Sequence, residues 1–279
     1  MKFQAVRLET PSRLTENDAA GAVDVQPTFM PKGGLAVAGG DLIIWICVRI
    51  FELFARLGGY LFATEDVHPY GHVSLASSYI GLAPFTKLTL AMVKSWDPAN
   101  PPIAKHAKFT YAQLIKYLET VKFQVLWPDH ALAGQPETYV VDQIRRHPFL
   151  NLWISKGHRR SRITGIIPDS YAAGAMNDGL LTGLIAALKE IGITRIFVFG
   201  LAGDFCVGAT ALSLLAAGFE VWVVVDAQCC VAAPLDSADF DSTIFVQLGD
   251  NPTTEDLMVF QLVAAGCHFT NFDLLSQAA

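Results

Sequence analysis

The stretch from residue 177 to residue 227 constrains the fold more than any other part of the sequence, because helical and extended apolar patterns alternate in it at short intervals. Apolar residues three and four apart indicate helices, and short uninterrupted apolar runs indicate strands buried on both faces. The predicted elements are a helix capped by Asn177 and Asp178, a strand at 195–200, a helix at 206–217 and a strand at 220–226. This alternation is typical of βαβ units, whose strands form a parallel sheet covered by helices.

The sequence on both sides of this stretch continues the alternation. We expect strands at 19–25, 60–65 and 149–154, helices at 41–57 and 254–265, and an edge strand at 268–272. The segment 77–123 breaks the rhythm with the proline-rich run DPANPPIAKHAK and an amphipathic helix at 110–120. Because this segment has few apolar residues for a core of its own, we interpret it as an insertion over one face of the sheet, within a single domain spanning 1–279.

Composition and charge exclude several classes of function. The net charge of −6 argues against a nucleic-acid binder, and the one basic cluster, 158–162, is short. The apolar stretch 42–62 contains Arg49, Glu52 and Arg56, which argue against a membrane span, and the amino-terminal residues lack the apolar core of a secretory signal. The five cysteines have no regular spacing, which argues against a disulfide framework. We therefore expect an intracellular, cytoplasmic protein with no nucleic-acid or membrane partner.

Residues suited to nucleophilic chemistry follow the predicted strands. Ligands of doubly wound sheets bind at the carboxyl ends of strands, where this sequence has Asp24, Lys156, Asp204 and Cys206. Cys206 follows a glycine-flanked turn and begins a helix, whose dipole would lower the pKa of the thiol. Asp24 can accept the thiol proton, Lys156 can stabilise negative charge, and the turn N–H groups of Ala202 and Cys206 can form an oxyanion hole. Taken singly, each side chain could instead be structural; together they predict a cysteine hydrolase acting on a small amide.

The segment EDVHPYGHVS suggests a metal site at the end of another strand. Asp66 and His68 lie two residues apart, so both can face one side of an extended chain. His72 follows His68 in the same segment, and His130 lies in LWPDHALAG. Oxygen and imidazole ligands suit Zn²⁺, Mn²⁺ or Fe²⁺. Since this spacing also arises by chance, the site is a hypothesis that needs the other segments for support.

Six segments match one known family in the family's own order. They are VDVQPTFMPKGGLAVAGGD (23–41), EDVHPYGHVS (65–74), LWPDHALAGQPET (126–138), SKG (155–157), DSYAAG (169–174) and GLAGDFCVGATALSLLAAGFEVWVVVDA (200–227). In these segments the chain resembles the nicotinamidase/pyrazinamidase branch of the isochorismatase-like cysteine hydrolases. The resemblance implies an α/β fold with a doubly wound, six-stranded parallel sheet and helices on both faces.

The resemblance also implies a role for each candidate residue. The family's catalytic triad falls on Cys206, Asp24 and Lys156, and its metal ligands fall on Asp66, His68 and His130. His72 matches a histidine that coordinates the metal in some members only. One divalent metal ion is expected, with Zn²⁺ as the first choice and Fe²⁺ or Mn²⁺ as alternatives. Phe29 and Trp127 match positions that sandwich the substrate ring, and the Leu201–Ala202 peptide matches a cis bond.

The function implied by the resemblance is metal-dependent hydrolysis of nicotinamide to nicotinate and ammonia through a cysteine thioester, as in NAD salvage. A related amidohydrolase for another small amide or carbamoyl compound is the nearest alternative; such relatives keep the Cys-Asp-Lys set but usually lack the metal ligands. A catalytically silent interaction module with the same fold is a third alternative, against which the complete set of triad residues argues. Assembly into a homo-oligomer is an expectation from the family alone.

Overall fold

Six parallel strands form the central sheet, which confirms the predicted doubly wound α/β fold. The computed structural model describes residues 2–165, 167–173, 182–236 and 242–279. The strands are β1 (Asp18–Val23), β2 (Tyr60–Asp66), β5 (Leu152–Lys156), β6 (Arg195–Leu201), β7 (Glu220–Cys229) and β8 (His268–Thr270). Their order across the sheet is β5-β2-β1-β6-β7-β8, and each neighbouring pair is parallel. The order reverses between β1 and β6, and such a switch point opens a crevice at the carboxyl ends of the strands.

Helices cover both faces of this sheet, because successive residues of its strands point to opposite sides. In β6, Phe197 and Phe199 belong to the hydrophobic cluster on one face, whereas Ile196 and Val198 belong to the cluster on the other. The first cluster includes residues of α1 (Ile44–Arg56), α4 (Asp142–Arg145) and α9 (Phe272–Gln277), and the second includes residues of α5 (Leu184–Glu190), α6 (Gly208–Ala216) and α8 (Thr254–Ala264). A further helix, α7, spans Ser242–Leu248.

The segment 77–123 has more internal structure than its composition predicts. It contains α2 (Leu90–Lys94), α3 (Tyr111–Thr120) and the strand β3 (Lys87–Thr89), which pairs antiparallel with β4 (Phe123–Val125) at the segment's end. A third hydrophobic cluster lies here. The cluster recruits Val73 and Leu126 from just outside the segment, and this help from flanking residues could not be read from composition.

The strand that precedes the candidate Lys156 begins later in the structure than the sequence predicts. The strand expected from Phe149 begins only at Leu152, and the Phe149 side chain is exposed. Asn151 explains the late start, because its backbone N–H donates to the Leu61 carbonyl (2.9 Å) and its side-chain oxygen accepts the Leu61 N–H (2.8 Å). The predicted helix caps Asn177 and Asp178 lie outside the described residues.

The apolar stretch 42–62 forms α1 and the first residues of β2, as predicted. Within the described part of the chain, no helix is both long enough and apolar enough to cross a membrane. All five cysteines are free.

Candidate active site

The carboxyl ends of four adjacent strands bring the predicted reacting groups together. Asp24 directly follows β1, Asp66 and Lys156 are the last residues of β2 and β5, and Cys206 follows β6. A cavity opens at this edge of the sheet, and both Asp66 and Cys206 line it. The predicted groups therefore lie together at the carboxyl edge of the sheet, where the sequence predicted them.

Lys156 is the electrostatic centre of this group. Its side chain is fully buried, and its Nζ lies 3.0 Å from Asp24 Oδ2 and 3.3 Å from Asp66 Oδ1. The same nitrogen donates to the Ser170 carbonyl (2.9 Å) and to Cys206 Sγ (3.4 Å). Burial lowers the pKa of Lys156, but Asp24 and Asp66 outweigh burial, and the net pKa lies well above its ordinary value. Lys156 is therefore a permanent cation between two carboxylates and a thiol.

Asp24 is held in one orientation at the end of β1. Its φ of 48° is a conformation that favours glycine, and its backbone N–H donates to the Thr64 carbonyl (3.1 Å). The Thr64 hydroxyl donates to Asp24 Oδ1 (2.7 Å), which leaves Oδ2 for Lys156. Burial raises the pKa of Asp24, Lys156 opposes this effect, and the neighbouring Asp66 adds to it. A carboxylate with a raised pKa is suited to accept a proton.

Cys206 lies in a π-helical turn, Gly203–Val207, and α6 begins two residues later than the helix start predicted at Cys206. The Ala202 carbonyl accepts hydrogen bonds from the N–H groups of both Phe205 and Val207 (3.1 Å each), which widens the turn. The expectation of a lowered thiol pKa is wrong. Burial raises the pKa of Cys206 well above its ordinary value, and the Asp24 carboxylate adds to this effect against the opposing charge of Lys156.

Asp66, His68 and His130 form a buried group of potential metal ligands. Their ligand atoms lie within 4.8 Å of one another. Asp66 Oδ2 lies 2.9 Å from His68 Nε2 and 3.8 Å from His130 Nε2. The segment carrying His130 is held beside the end of β2, because the His68 N–H donates to the Ala131 carbonyl (2.7 Å). The structure thus brings together the three predicted ligands from two separate segments.

In both His68 and His130, the surroundings of Nδ1 favour metal binding through Nε2. His68 Nδ1 faces the Gly157 carbonyl (3.3 Å), and His130 Nδ1 faces the Pro128 carbonyl (2.8 Å). Because a carbonyl oxygen only accepts, each Nδ1 would keep its proton when a metal is bound, which leaves each Nε2 as the nitrogen that can coordinate the ion beside Asp66. Gly157, at a φ of +76°, makes room for this arrangement, since a Cβ there would lie 2.6 Å from Asp66 Oδ1. The donor set fits a divalent metal of the zinc type.

His72 lies beside this group without joining it. Its ring stacks on that of His68, with 4.3 Å between the ring centroids. Its Nδ1 is engaged with the Ser74 hydroxyl (2.8 Å), and burial lowers the pKa of His72, so the ring is neutral. In the described residues, the group with metal-ligand spacing contains Asp66, His68 and His130 but not His72.

Aromatic side chains form the walls of the cavity. Both predicted residues, Phe29 and Trp127, line it and are buried, and the Phe29 ring lies 5.7 Å from that of His130. Sequence reasoning missed Phe205 and Tyr171, which line the same cavity. The Phe205 ring meets Trp127 edge to face at 5.4 Å. Signals for both were present, since Phe205 precedes the candidate nucleophile and Tyr171 lies in the matched segment DSYAAG.

The turn before Cys206 has two further notable features. The Leu201–Ala202 peptide is cis, which confirms the prediction, and Ala202 lines the cavity beside Cys206. Asp204, grouped by sequence with the reacting residues, instead braces the turn. Its carboxylate accepts the N–H groups of Val231 (2.9 Å) and Ala232 (2.8 Å). Asp204 is thus absent from the set of groups that face the thiol.

Fold and site together define a class of protein, the isochorismatase-like hydrolases, and the isochorismatase domain model matches residues 175–255. A nicotinamidase from Acinetobacter baylyi is 33% identical over 226 residues, which are 79% of this chain and 85% of that protein. The chain belongs to the nicotinamidase family.

Solved structures agree with this assignment. An Acinetobacter baumanii nicotinamidase/pyrazinamidase matches with a TM-score of 0.69 and 28% identity, covering 94% of this chain and 100% of the other. A Pyrococcus horikoshii pyrazinamidase, solved in complex with zinc, has the same fold at a TM-score of 0.56 and 22% identity, covering 91% of this chain and 99% of the other.

Proposed function

We propose that this protein hydrolyses nicotinamide to nicotinate and ammonia, with Cys206 as the nucleophile and a divalent metal in the same cavity. One observation carries the proposal: Lys156 contacts Cys206, Asp24 and Asp66 at once, so the thiol, the proton acceptor and the ligand group form one connected site. The 33% identity to a nicotinamidase supports nicotinamide as the substrate.

Substrate binding relies on the cavity walls. The pyridine ring would lie between Phe29 and Trp127, which are both buried and line the cavity. Asp66, His68 and His130 would hold the metal, most readily Zn²⁺ with Fe²⁺ or Mn²⁺ as alternatives, and a bound metal would supply a Lewis acid for the ring nitrogen. A ring held between Phe29 and Trp127 would present its carboxamide towards Cys206.

Proton transfer from Cys206 to Asp24 starts the reaction. Because burial raises the pKa of Cys206, the resting group is a thiol, and its proton must leave as the sulfur attacks the carboxamide carbon. Asp24, whose pKa is also raised, hydrogen-bonds this thiol and takes the proton. The N–H groups of Ala202 and Cys206 donate hydrogen bonds to the carboxamide oxygen as negative charge develops on it.

The protonated Asp24 then returns its proton to the departing nitrogen, which leaves as ammonia while the nicotinoyl group stays on Cys206 as a thioester. A water molecule completes the cycle. Asp24 takes a proton from this water, whose oxygen attacks the thioester carbon. As the C–S bond breaks, Asp24 returns that proton to the sulfur, which restores the thiol, and the acid product leaves as nicotinate after losing its proton to solvent. Lys156 stays positively charged throughout and offsets the negative charge that moves among its partners.

The buried Asp-His-His group separates this proposal from an amidohydrolase for another small amide, which needs the thiol, acid and lysine alone. Ammonia release from nicotinamide by the metal-loaded protein tests the proposal, with Cys206→Ala and Phe149→Ala as matched variants. Phe149 is an exposed side chain outside the cavity lining. We expect ammonia from the wild type and from Phe149→Ala, and none from Cys206→Ala. Turnover by Cys206→Ala, or a wild type active on other small amides but not on nicotinamide, would overturn it.

A further inference from the structure

We infer that Asp169 is a positioning residue, which fixes the aromatic wall of the cavity and thereby sets the affinity for the substrate ring. The inference rests on the proposed function. Asp169 lies in the loop that follows β5, lines the cavity and is buried. Its hydrogen bonds go to Trp127, Gln124 and Tyr171, while its charge also acts on His68 and His130 of the ligand group.

The contacts of Asp169 converge on Trp127. Asp169 Oδ2 accepts the indole N–H of Trp127 at 3.2 Å, and it also accepts a hydrogen bond from Gln124 Nε2 at 3.0 Å. The Tyr171 hydroxyl hydrogen-bonds the same carboxylate and lies 3.2 Å from the indole nitrogen. An ionised carboxylate only accepts, so one group can satisfy several donors around a single ring edge. Two of these donors belong to walls of the cavity.

The segment 77–123 and its flank support this carboxylate from the far side. Gln124 belongs to β4, and its side-chain oxygen accepts the hydroxyl of Tyr117 from α3 at 2.6 Å. Tyr117 and Gln124 are both buried. A continuous chain of hydrogen bonds thus runs from α3 through Gln124 and Asp169 to the Trp127 ring. Through these hydrogen bonds, the segment 77–123 helps to hold the Trp127 wall of the cavity in place.

Loss of the carboxylate would leave the buried indole N–H without its charged acceptor and would free the ring to tilt. Cys206, Asp24 and Lys156 have no hydrogen bond to this network among the described residues, so the chemical step should be unaffected. General damage to the loop would act differently. Ser170 follows Asp169, and its carbonyl accepts a hydrogen bond from Lys156. A displacement of Ser170 would therefore lower kcat.

Steady-state kinetics on nicotinamide distinguish these two effects. We expect Asp169→Asn to raise KM about tenfold, the size expected for a lost hydrogen bond to a charged group, with kcat within about twofold of wild type. Glu220→Gln is the matched control, because Glu220 accepts the Trp222 indole N–H at 2.6 Å at the other end of the sheet. It should leave both constants unchanged. An unchanged KM in Asp169→Asn, or a loss confined to kcat, overturns the inference.

A double-mutant cycle tests whether Asp169 acts through the ring. In a Trp127→Phe background the indole N–H is absent, so Asp169→Asn should raise KM by about threefold at most. An equal KM increase in both backgrounds overturns the inference, because Asp169 would then act by another route.

The indole N–H resonance of Trp127 gives a readout that needs no turnover. Assigned by its loss in Trp127→Phe, it should shift in Asp169→Asn, keep its position in Glu220→Gln and exchange slowly with solvent in the wild type. Fast exchange in the wild type overturns the inference even if Asp169→Asn fails to fold. If the wild type releases no ammonia but keeps this protected resonance, the proposed function is contradicted, whereas the hydrogen bond between Trp127 and Asp169 is still supported.

Discussion

At the scale of single residues, Lys156 concentrates the electrostatics of the site in one buried cation. Two carboxylates lie within 3.3 Å of its Nζ, and neither Asp24 nor Lys156 has any exposed side-chain surface. Buried ions are tolerated only when they are paired, because taking a charge out of water is costly. The same ion that favours chemistry at Cys206 is therefore also required for Asp24 and Asp66 to stay charged in the folded protein.

Replacement of Lys156 should consequently destabilise the protein as well as inactivate it. We expect Lys156→Met to lower the free energy of unfolding by about 3–5 kcal/mol, the cost of breaking a buried ion pair, measured by urea denaturation. Lys94→Met is the control, since Lys94 pairs with Glu119 at 3.7 Å on the exposed surface. That substitution should cost less than about 1 kcal/mol. Equal costs for the two variants would contradict this description of Lys156.

The raised pKa of Cys206 makes a second prediction at this scale. Burial and the Asp24 carboxylate raise the pKa of Cys206, whereas the charge of Lys156 lowers it. Asp24→Asn removes a negative charge that raises this pKa, so thiol alkylation should begin at a lower pH. The measurement is the rate of iodoacetamide labelling of the Cys206 peptide against pH. Asp226→Asn, at a carboxylate whose hydrogen bonds go to Phe272, should leave the profile unchanged. A profile that moves to higher pH in Asp24→Asn would rule out this charge balance.

Sequence reasoning selected the candidate residues that the structure brings together, but it did not predict their ionisation. Asp24, Lys156 and Cys206 could be found because each follows a local apolar pattern that marks a strand end. The pKa of Cys206 was misjudged because the helix dipole is a local property, whereas burial and the two nearby carboxylates come from distant parts of the chain. Asp169 was missed for a related reason, since its contacts to Gln124 and Trp127 span more than forty residues of sequence.

At the scale of elements, the turn that carries Cys206 is braced from outside. Asp204 accepts two N–H groups from the loop after β7 and the Thr254 hydroxyl at 2.5 Å, at the start of α8. Val231, one of the residues that it holds, lines the cavity. The Asp204 carboxylate thus links the turn that carries Cys206, the cavity wall at Val231 and the start of α8.

Removal of this brace should impair catalysis as well as stability. Asp204→Ala leaves two partly buried N–H groups without their acceptor, so we expect a loss of about 2 kcal/mol in unfolding free energy and a lower kcat for nicotinamide hydrolysis. Asp226→Ala is a matched control, because Asp226 accepts the Phe272 N–H (3.0 Å) away from the cavity. That variant should lose stability while keeping kcat. A normal kcat in Asp204→Ala would mean that the turn needs no brace.

Element prediction succeeded where the pattern is local. The spacing of apolar residues located α1, α6 and α8 to within three residues at each end. The π-helical turn was not predicted, because it depends on the Ala202 carbonyl accepting two N–H groups. Likewise, the hydrophobic cluster of the 77–123 segment depends on Val73 and Leu126, which a reading confined to the segment leaves out.

For the whole molecule, the ligand group joins parts of the chain that are distant in sequence. Asp66 ends β2 and His68 follows two residues later, whereas His130 comes from the segment 126–138. The likeness to a known family was needed to predict this grouping, because the spacing of Asp66 and His68 alone is not specific. A metal that binds the folded state and not the unfolded chain stabilises the fold by mass action.

Metal binding should therefore raise the thermal stability of the metal-free protein. We expect added Zn²⁺ to raise the Tm of the chelator-treated wild type, and His130→Ala to abolish the rise. His268→Ala, at a partly exposed histidine paired with Glu9, is the control and should keep it. A rise of equal size in His130→Ala would place the metal elsewhere.

The central claim is that Cys206 forms a covalent intermediate with nicotinamide, and rapid quenching in acid followed by peptide mass spectrometry tests it most directly. We predict a nicotinoyl group on the Cys206 peptide of the wild type during turnover, and unmodified peptides with no ammonia release in Cys206→Ala. Ammonia release by Cys206→Ala, or a nicotinoyl group on another cysteine of a turning-over wild type, would contradict the account.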